Sequence, residues 1–367
     1  MPVTVRTILQ HLESLAPLEL AESWDNVGLL VGDPAQRVKT ALVALDATAE
    51  VLEQAERRQG ELLVVHHPLI FSGLQRLVED HGTASLLRRL IHDGRSLIAM
   101  HTNLDAAADG LNSYVAGLLG LAELRPLLPS AARPLLKLVV YVPATHATAV
   151  RAAICAAGAG RIGHYGDCTF VAPGIGTFRP EEGTRPYLGS AGQLEQVEEV
   201  RLETVLPRAA LEPVLAAMRK EHPYEEVAFD LFSLENAWPQ AGLGRIGVLA
   251  APLSAGDFLA RVGTVLATDR LTFLGDHART VRTVALCTGA GSEFLPHAVR
   301  QQADLYLTGE VKHHHALLAR QSGIALIDAG HFASERPAAQ LFADYLTTHL
   351  PNLQVVVADE RDPLQAA

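Results

Sequence analysis

Short apolar runs that end in histidine constrain this chain more than any other feature. Leu62-Leu-Val-Val65 runs into His66-His67-Pro68, and Ser96-Leu-Ile-Ala-Met100 runs into His101-Thr-Asn-Leu-Asp105. Ile324-Ala-Leu-Ile327 leads through Asp328-Ala-Gly to His331 and on to Glu335. Apolar runs of four or five residues without alternation read as strands buried on both faces. In α/β sheets the side chains just past strand C-termini converge on one crevice, where ligands bind. Three such strands bring imidazoles and carboxylates to one place, a donor set suited to metal ions and large enough for two.

The surrounding pattern supports that reading. Apolar spacing places helices over 7–15, 49–58, 84–92 and 110–119, and strands over 40–45, 62–65 and 96–100. This alternation implies a mainly parallel sheet with helices on both faces. The middle changes character. It reads as a strand over 135–142, a helix to about residue 157, a Gly-rich, loop-heavy stretch over 158–192, a long alternating strand over 197–206, a helix over 208–220 and a strand over 227–234. That is the pattern of a ferredoxin-like module, and it holds none of the histidine patches. Strands over 247–250, 283–287, 304–307 and 324–327 then restore the α/β rhythm. The expected fold class is α/β: two α/β halves forming one split domain, residues 1–127 and 244–367, with an inserted ferredoxin-like α+β module over 128–243.

Composition removes several function classes. No apolar run approaches the roughly 20 residues of a membrane span, and the N-terminus has no secretory apolar core, so a cytoplasmic protein with no membrane partner is expected. The three cysteines, Cys155, Cys168 and Cys287, are scattered and odd in number, which excludes a disulfide framework or a cysteine metal site. With 30 basic against 41 acidic residues the net charge is −11, the wrong sign for a duplex-binding sheath. Nucleic acid is therefore not an expected partner, unless Arg133, Arg161, Arg179 and Arg185 form a hidden basic lining.

Each patch also has an ordinary reading. His66 and His67 are candidate metal ligands or simply loop histidines. Asp105 is a candidate hard oxygen ligand or the cap of a following helix, and His101 is a ligand or a partner that orients Asp105. His331 offers one nitrogen. Glu335 can bridge two ions, or it can sit in a first helical turn that begins at Ser334, where the helix dipole favours a carboxylate. In His313-His314-His315 a single ring at most faces a site, as a proton shuttle, and Glu310 is a candidate base or orienting carboxylate. His81, His164 and His277 belong to no constellation. Trp24-Asp25-Asn26-Val27-Gly28 reads as a tight loop before a strand.

Together, Trp24-Asp25-Asn26-Val27-Gly28, His66-His67-Pro68, His101-Thr-Asn-Leu-Asp105, Thr308-Gly-Glu310 and Gly330-His331 with Glu335 resemble the dinuclear metal-centre family known as GTP cyclohydrolase I type 2 homologues, also called NGG-interacting-factor-like. The motifs occur in the family's order over nearly the whole chain. Gly158-Ala-Gly-Arg-Ile-Gly163, Gly176-Thr-Phe-Arg-Pro180 and Glu221-His-Pro-Tyr-Glu-Glu226 resemble the inserted domain of its longer form, which is similar to nitrogen-regulatory PII and CutA-type modules. The resemblance implies that His66, His67, Asp105, His331 and Glu335 bind two divalent ions, with Glu335 bridging; Zn, Fe, Mn and Co all suit such a set. It places His101 and His314 as further site histidines, candidates for proton transfer. Phe332 departs from the polar residue many members carry, and makes the pocket drier. The implied assembly is a homo-oligomer, a hexameric ring. The implied function is a metal-dependent hydrolase, in the manner of a GTP cyclohydrolase, activating water toward a small nucleotide-like substrate. The alternative is a non-catalytic metal-binding regulator whose PII-like insert senses a ligand.

Overall fold

The computed structural model describes residues 3–364 except 75, 79–81, 131–134, 163–164 and 237–239. His81, Arg133 and His164 therefore lie outside the described residues. The chain divides into two compact units, one formed by Met1–Ala131 with Pro239–Ala367 and the other by Ala132–Trp238.

The first unit holds two sheets. The five-stranded sheet runs Gly28–Val31, Ser96–Ala99, Leu62–Val65, Thr40–Ala44, Gln354–Val357. Every pairing is parallel except at the edge, where Gly28–Val31 runs antiparallel to Ser96–Ala99. The three central strands are buried along their whole length, which is why they read as unbroken apolar runs. Helices Ala49–Arg57 and Thr83–His92 bury Val51, Leu52, Ala55, Leu87 and Leu90 against Leu42, Leu63, Val65 and Leu97. Each buried Leu or Val there contributes about 1.5–3 kcal/mol of transfer free energy. The strands are thus fixed closely enough to aim the residues that follow them.

The six-stranded sheet runs Thr272–Leu274, Ala325–Asp328, Leu305–Thr308, Thr280–Cys287, Gly242–Ser254, Leu121–Pro129. Its Thr280–Cys287, Leu305–Thr308 and Ala325–Asp328 strands are parallel and the rest antiparallel. The two sequence halves exchange strands. Leu121–Pro129 from the first half pairs with Gly242–Ser254, and Gln354–Val357 from the second half pairs with Thr40–Ala44.

The second unit has the order strand Leu135–Pro143, helix Ala147–Ala156, strands Thr169–Phe178 and Glu195–Pro207, helix Leu211–Glu221, strand Phe229–Ser233. Its sheet runs Thr169–Phe178, Glu195–Pro207, Leu135–Pro143, Phe229–Ser233, antiparallel throughout. Alternate residues Leu136, Leu138, Val140 and Val142 face Val150, Ile154, Val214 and Met218 of the two helices. The loop-heavy stretch over 158–192 also contains a strand, Thr169–Phe178. It lies at a sheet edge, where Pro173, Gly174 and Gly176 are tolerated. Among the described residues no helix is long and apolar enough to cross a membrane.

Candidate metal centre

The ends of the strands Leu62–Val65, Ser96–Ala99 and Ala325–Asp328 do meet, within the first unit. His66 leaves its strand fully buried, with Nδ1 2.8 Å from the Met100 carbonyl oxygen. A carbonyl only accepts, so Nδ1 carries the proton and Nε2 keeps a lone pair. That Nε2 is sealed from solvent and makes no hydrogen bond, and the same holds for Asp105 Oδ1, 3.7 Å away. Buried polar atoms without partners are rare. Two acceptors facing each other at this separation are both satisfied by one shared cation.

Glu335 closes the group. Its Oε1 lies 3.9 Å from His66 Nε2. Its Oε2 lies 2.9 Å from His67 Nε2 and 2.8 Å from His331 Nε2. A short helix runs from His331 to Glu335, so Glu335 does not sit in a first turn that begins at Ser334, the ordinary reading of this carboxylate. Glu335 is thus the last residue of that helix, just ahead of the longer helix Pro337–His349. The i, i+4 spacing instead puts His331 and Glu335 on one face. Gly289 explains how the carboxylate fits. Its φ is +61°, and an added Cβ would run into Glu335.

Three of the four imidazoles have a carboxylate behind them. His67 Nδ1 is 2.8 Å from Asp46, His101 Nδ1 is 2.9 Å from Asp25, and His331 Nδ1 is 2.6 Å from Glu310. Such partners fix ring orientation and leave the other nitrogen for the centre, the usual support behind metal-binding histidines. Asp25 also accepts from Thr102 N at 3.0 Å and from the Thr102 hydroxyl. It thereby caps the short helix Thr102–Ala106, leaving Asp105 inside that helix free to face the centre.

The charges are poised for a cation. Burial pushes the Asp105 carboxyl well up, and the nearby Glu335 adds to this. Burial also drives His66 down to about 3, so it stays neutral. Glu335 is pushed up by burial as well, but its bonds to His331 and His67 win and hold it ionised. At His67 burial opposes the cation, yet the bonds to Asp46 and Glu335 carry it up to about 10. The bond to Glu335 outweighs burial at His331 and takes it to about 9. Protons on His67 and His331 thus balance a carboxylate that metal ions would otherwise neutralise.

Among the described residues, two overlapping groups have ligand atoms close enough to hold an ion: His66, His67 and His101, and His67, His331 and Glu335. Asp105 adjoins them through His66. His314 does not join them. It is exposed on the helix His313–Ser322, its ring 4.1 Å from that of His315, which bonds Ser292. Asp25 and Asp46 were not expected to take part. Asp46 follows the strand Thr40–Ala44 closely, so the strand-end rule that finds His66 also covers it. Asp25 lies in the Trp24-Asp25-Asn26 loop, whose sequence signals only a turn.

Two features surround the centre. His67 and His331 border a cavity of about 570 Å³ that Asp46, Arg270, Leu271 and Phe332 also line. Beside His101, Trp24 and Phe71 stand 57% and 55% exposed, rings 5.7 Å apart. Their centroids are 6.1 and 6.5 Å from the His101 ring.

The family model described as Duf34/NIF3 (NGG1p interacting factor 3) matches residues 3–363. A Bacillus subtilis protein named GTP cyclohydrolase 1 type 2 homolog is 38% identical, over 91% of this chain and 89% of its own. A Mycobacterium leprae protein of the same name is 41% identical, over 95% and 91%. The crystal structure of a Bacillus cereus protein related to NIF3 superposes with a TM-score of 0.86 at 35% identity, covering all of both chains. The chain belongs to the Duf34/NIF3 family.

Proposed function

We propose that this chain is a dinuclear metal-dependent hydrolase acting on a small nucleotide-like substrate. The observation that supports it best is the orphaned pair His66 Nε2 and Asp105 Oδ1 with Glu335 directed at both histidine groups. The donor set of nitrogen and carboxylate oxygen fits Zn, Fe, Mn or Co. His66, His67, Asp105, His331 and Glu335 would hold two ions, with Glu335 reaching both. Bound there, paired ions activate water and stabilise a leaving oxygen. His101, set by Asp25 and turned toward His66 and His67, would serve as a further ligand or move a proton beside them. His314, named with it for proton transfer, is exposed and has no comparable support.

The substrate class rests on the relatives' name and on the lip of the site. Trp24 and Phe71 offer two exposed ring faces beside His101, suited to stacking a flat heterocycle, and Arg270 brings a cation to the adjoining cavity. Elemental analysis combined with turnover on GTP and a phosphoester panel tests the reading. Bound metal with hydrolysis supports it. Full metal occupancy with no turnover on any substrate overturns it in favour of a metal-binding regulator. The βαββαβ order and antiparallel sheet of the second unit favour a ferredoxin-like, PII- or CutA-like module, which is what that second reading requires. By resemblance to the family, the assembly would be a cytoplasmic homohexamer, checked by light scattering on the purified chain.

A further inference from the structure

The second unit holds a cavity of its own, about 260 Å³ in volume. Three aromatic rings and three carboxylates line it: Phe178, Tyr187 and Tyr224 with Glu199, Glu225 and Glu226. The Phe178 and Tyr187 rings lie 5.8 and 6.1 Å from that of Tyr224. No lysine, arginine or histidine is among the lining residues.

The floor is built, not incidental. Glu199 is only 9% exposed. It folds over Gly176, where an added Cβ would collide with its carboxylate. The Tyr224 hydroxyl is sealed from solvent and faces this carboxylate. Burial, then the adjacent Glu199, push that phenol's pKa up, so it stays protonated. His222 fixes the backbone here: Nε2 donates to the Tyr141 carbonyl at 3.0 Å, and Nδ1 accepts from Tyr224 N at 3.1 Å. Burial lowers the His222 pKa, so this ring does not neutralise Glu199. Glu199 thus sits under the aromatic rings with no cationic side chain among the residues lining the cavity.

We propose that this cavity is a binding site for a small organic cation, an alkylammonium or guanidinium group. Aromatic faces attract such cations through the ring quadrupole, and the carboxylates supply the charge. A bare metal ion fits less well. Among the described residues, ligand atoms close enough for an ion come together only in the two groups around His66, His67 and His331. Here the carboxylates surround a space suited to a larger, softer cation. The Glu221-His-Pro-Tyr-Glu-Glu226 motif acquires a role this way: His222 positions Tyr224, and Glu225 and Glu226 line the cavity. The proposal is independent of the metal centre.

Calorimetric titration of the full-length protein with choline and with agmatine tests it, beside the uncharged choline isostere in which carbon replaces the quaternary nitrogen. Saturable binding of either cation is expected, with choline at least about tenfold tighter than its isostere if choline is the one bound. Tyr187→Ala and Glu225→Gln, both at exposed positions, are expected to weaken binding at least about threefold, and Glu199→Gln more strongly. If Glu199→Gln fails to fold by circular dichroism, the other two variants decide. The proposal is overturned if neither cation binds, if choline alone binds and its isostere binds equally well, or if neither exposed variant weakens binding.

Discussion

At the residue scale, the centre is a set of imidazoles each held from behind. Replacing Asp46 or Asp25 with Asn keeps the side-chain shape but weakens the hold on His67 or His101. Metal affinity is expected to fall about 10–100-fold in each variant, with the fold intact by circular dichroism. Unchanged affinity would mean the rings are held by packing alone. Metal binding must also displace protons, because ligands bind deprotonated. His67 and His331 keep theirs to about 10 and about 9 without metal. Loading chelated protein in weak buffer at neutral pH is therefore expected to release protons, and the release should fade as pH passes through 9 to 10. No release at neutral pH would contradict the charge balance described. The convergence of the candidate ligands was legible in the sequence because each follows a buried strand. Asp25 was not, because its bond to His101 spans 76 positions and its loop signals only a turn; Asp46 follows a buried strand as His66 does, but its bond to His67, 21 positions away, has no sequence signal.

At the scale of elements, the C-terminal strand supports the site from a distance. After Gln354–Val357 adds to the first sheet, Glu360 accepts from Leu45 N at 2.7 Å and Asp46 N at 3.0 Å. It thereby sets the loop that carries Asp46 to His67. Glu360→Ala is expected to lower unfolding stability by about 1–3 kcal/mol and to weaken metal binding as well. Denaturant titration with metal analysis of the same samples checks both, and a stability loss with unaltered metal affinity would remove Glu360 from the support. Strands buried on both faces, such as Leu62–Val65, were legible because burial demands apolar side chains throughout. Thr169–Phe178 was not, because an exposed edge strand needs no apolar pattern and this one tolerates Pro173 and two glycines. The short helix His331–Glu335 has no sequence signal at its start, since Gly330 before it, with φ +82°, carries no side-chain cap.

At the scale of the molecule, the first unit is assembled from both ends of the chain, while every candidate ligand lies outside Ala132–Trp238. The exchange of Leu121–Pro129 and Gln354–Val357 between sheets is a long-range pairing that no local window reveals, whereas the change of pattern in the middle of the chain was visible. Replacing 132–238 with a short Gly/Ser linker is expected to leave a folded, metal-binding protein. A soluble but metal-free product would show that the second unit supports the centre. The central claim is that Glu335 and its neighbours hold a pair of ions, and the metal-to-protein ratio tests it most directly. Full-length protein purified without chelator is expected to carry about two divalent ions per chain by elemental analysis; a ratio near zero or one, after the chain has been offered Zn, Fe, Mn and Co in excess, would contradict a dinuclear centre.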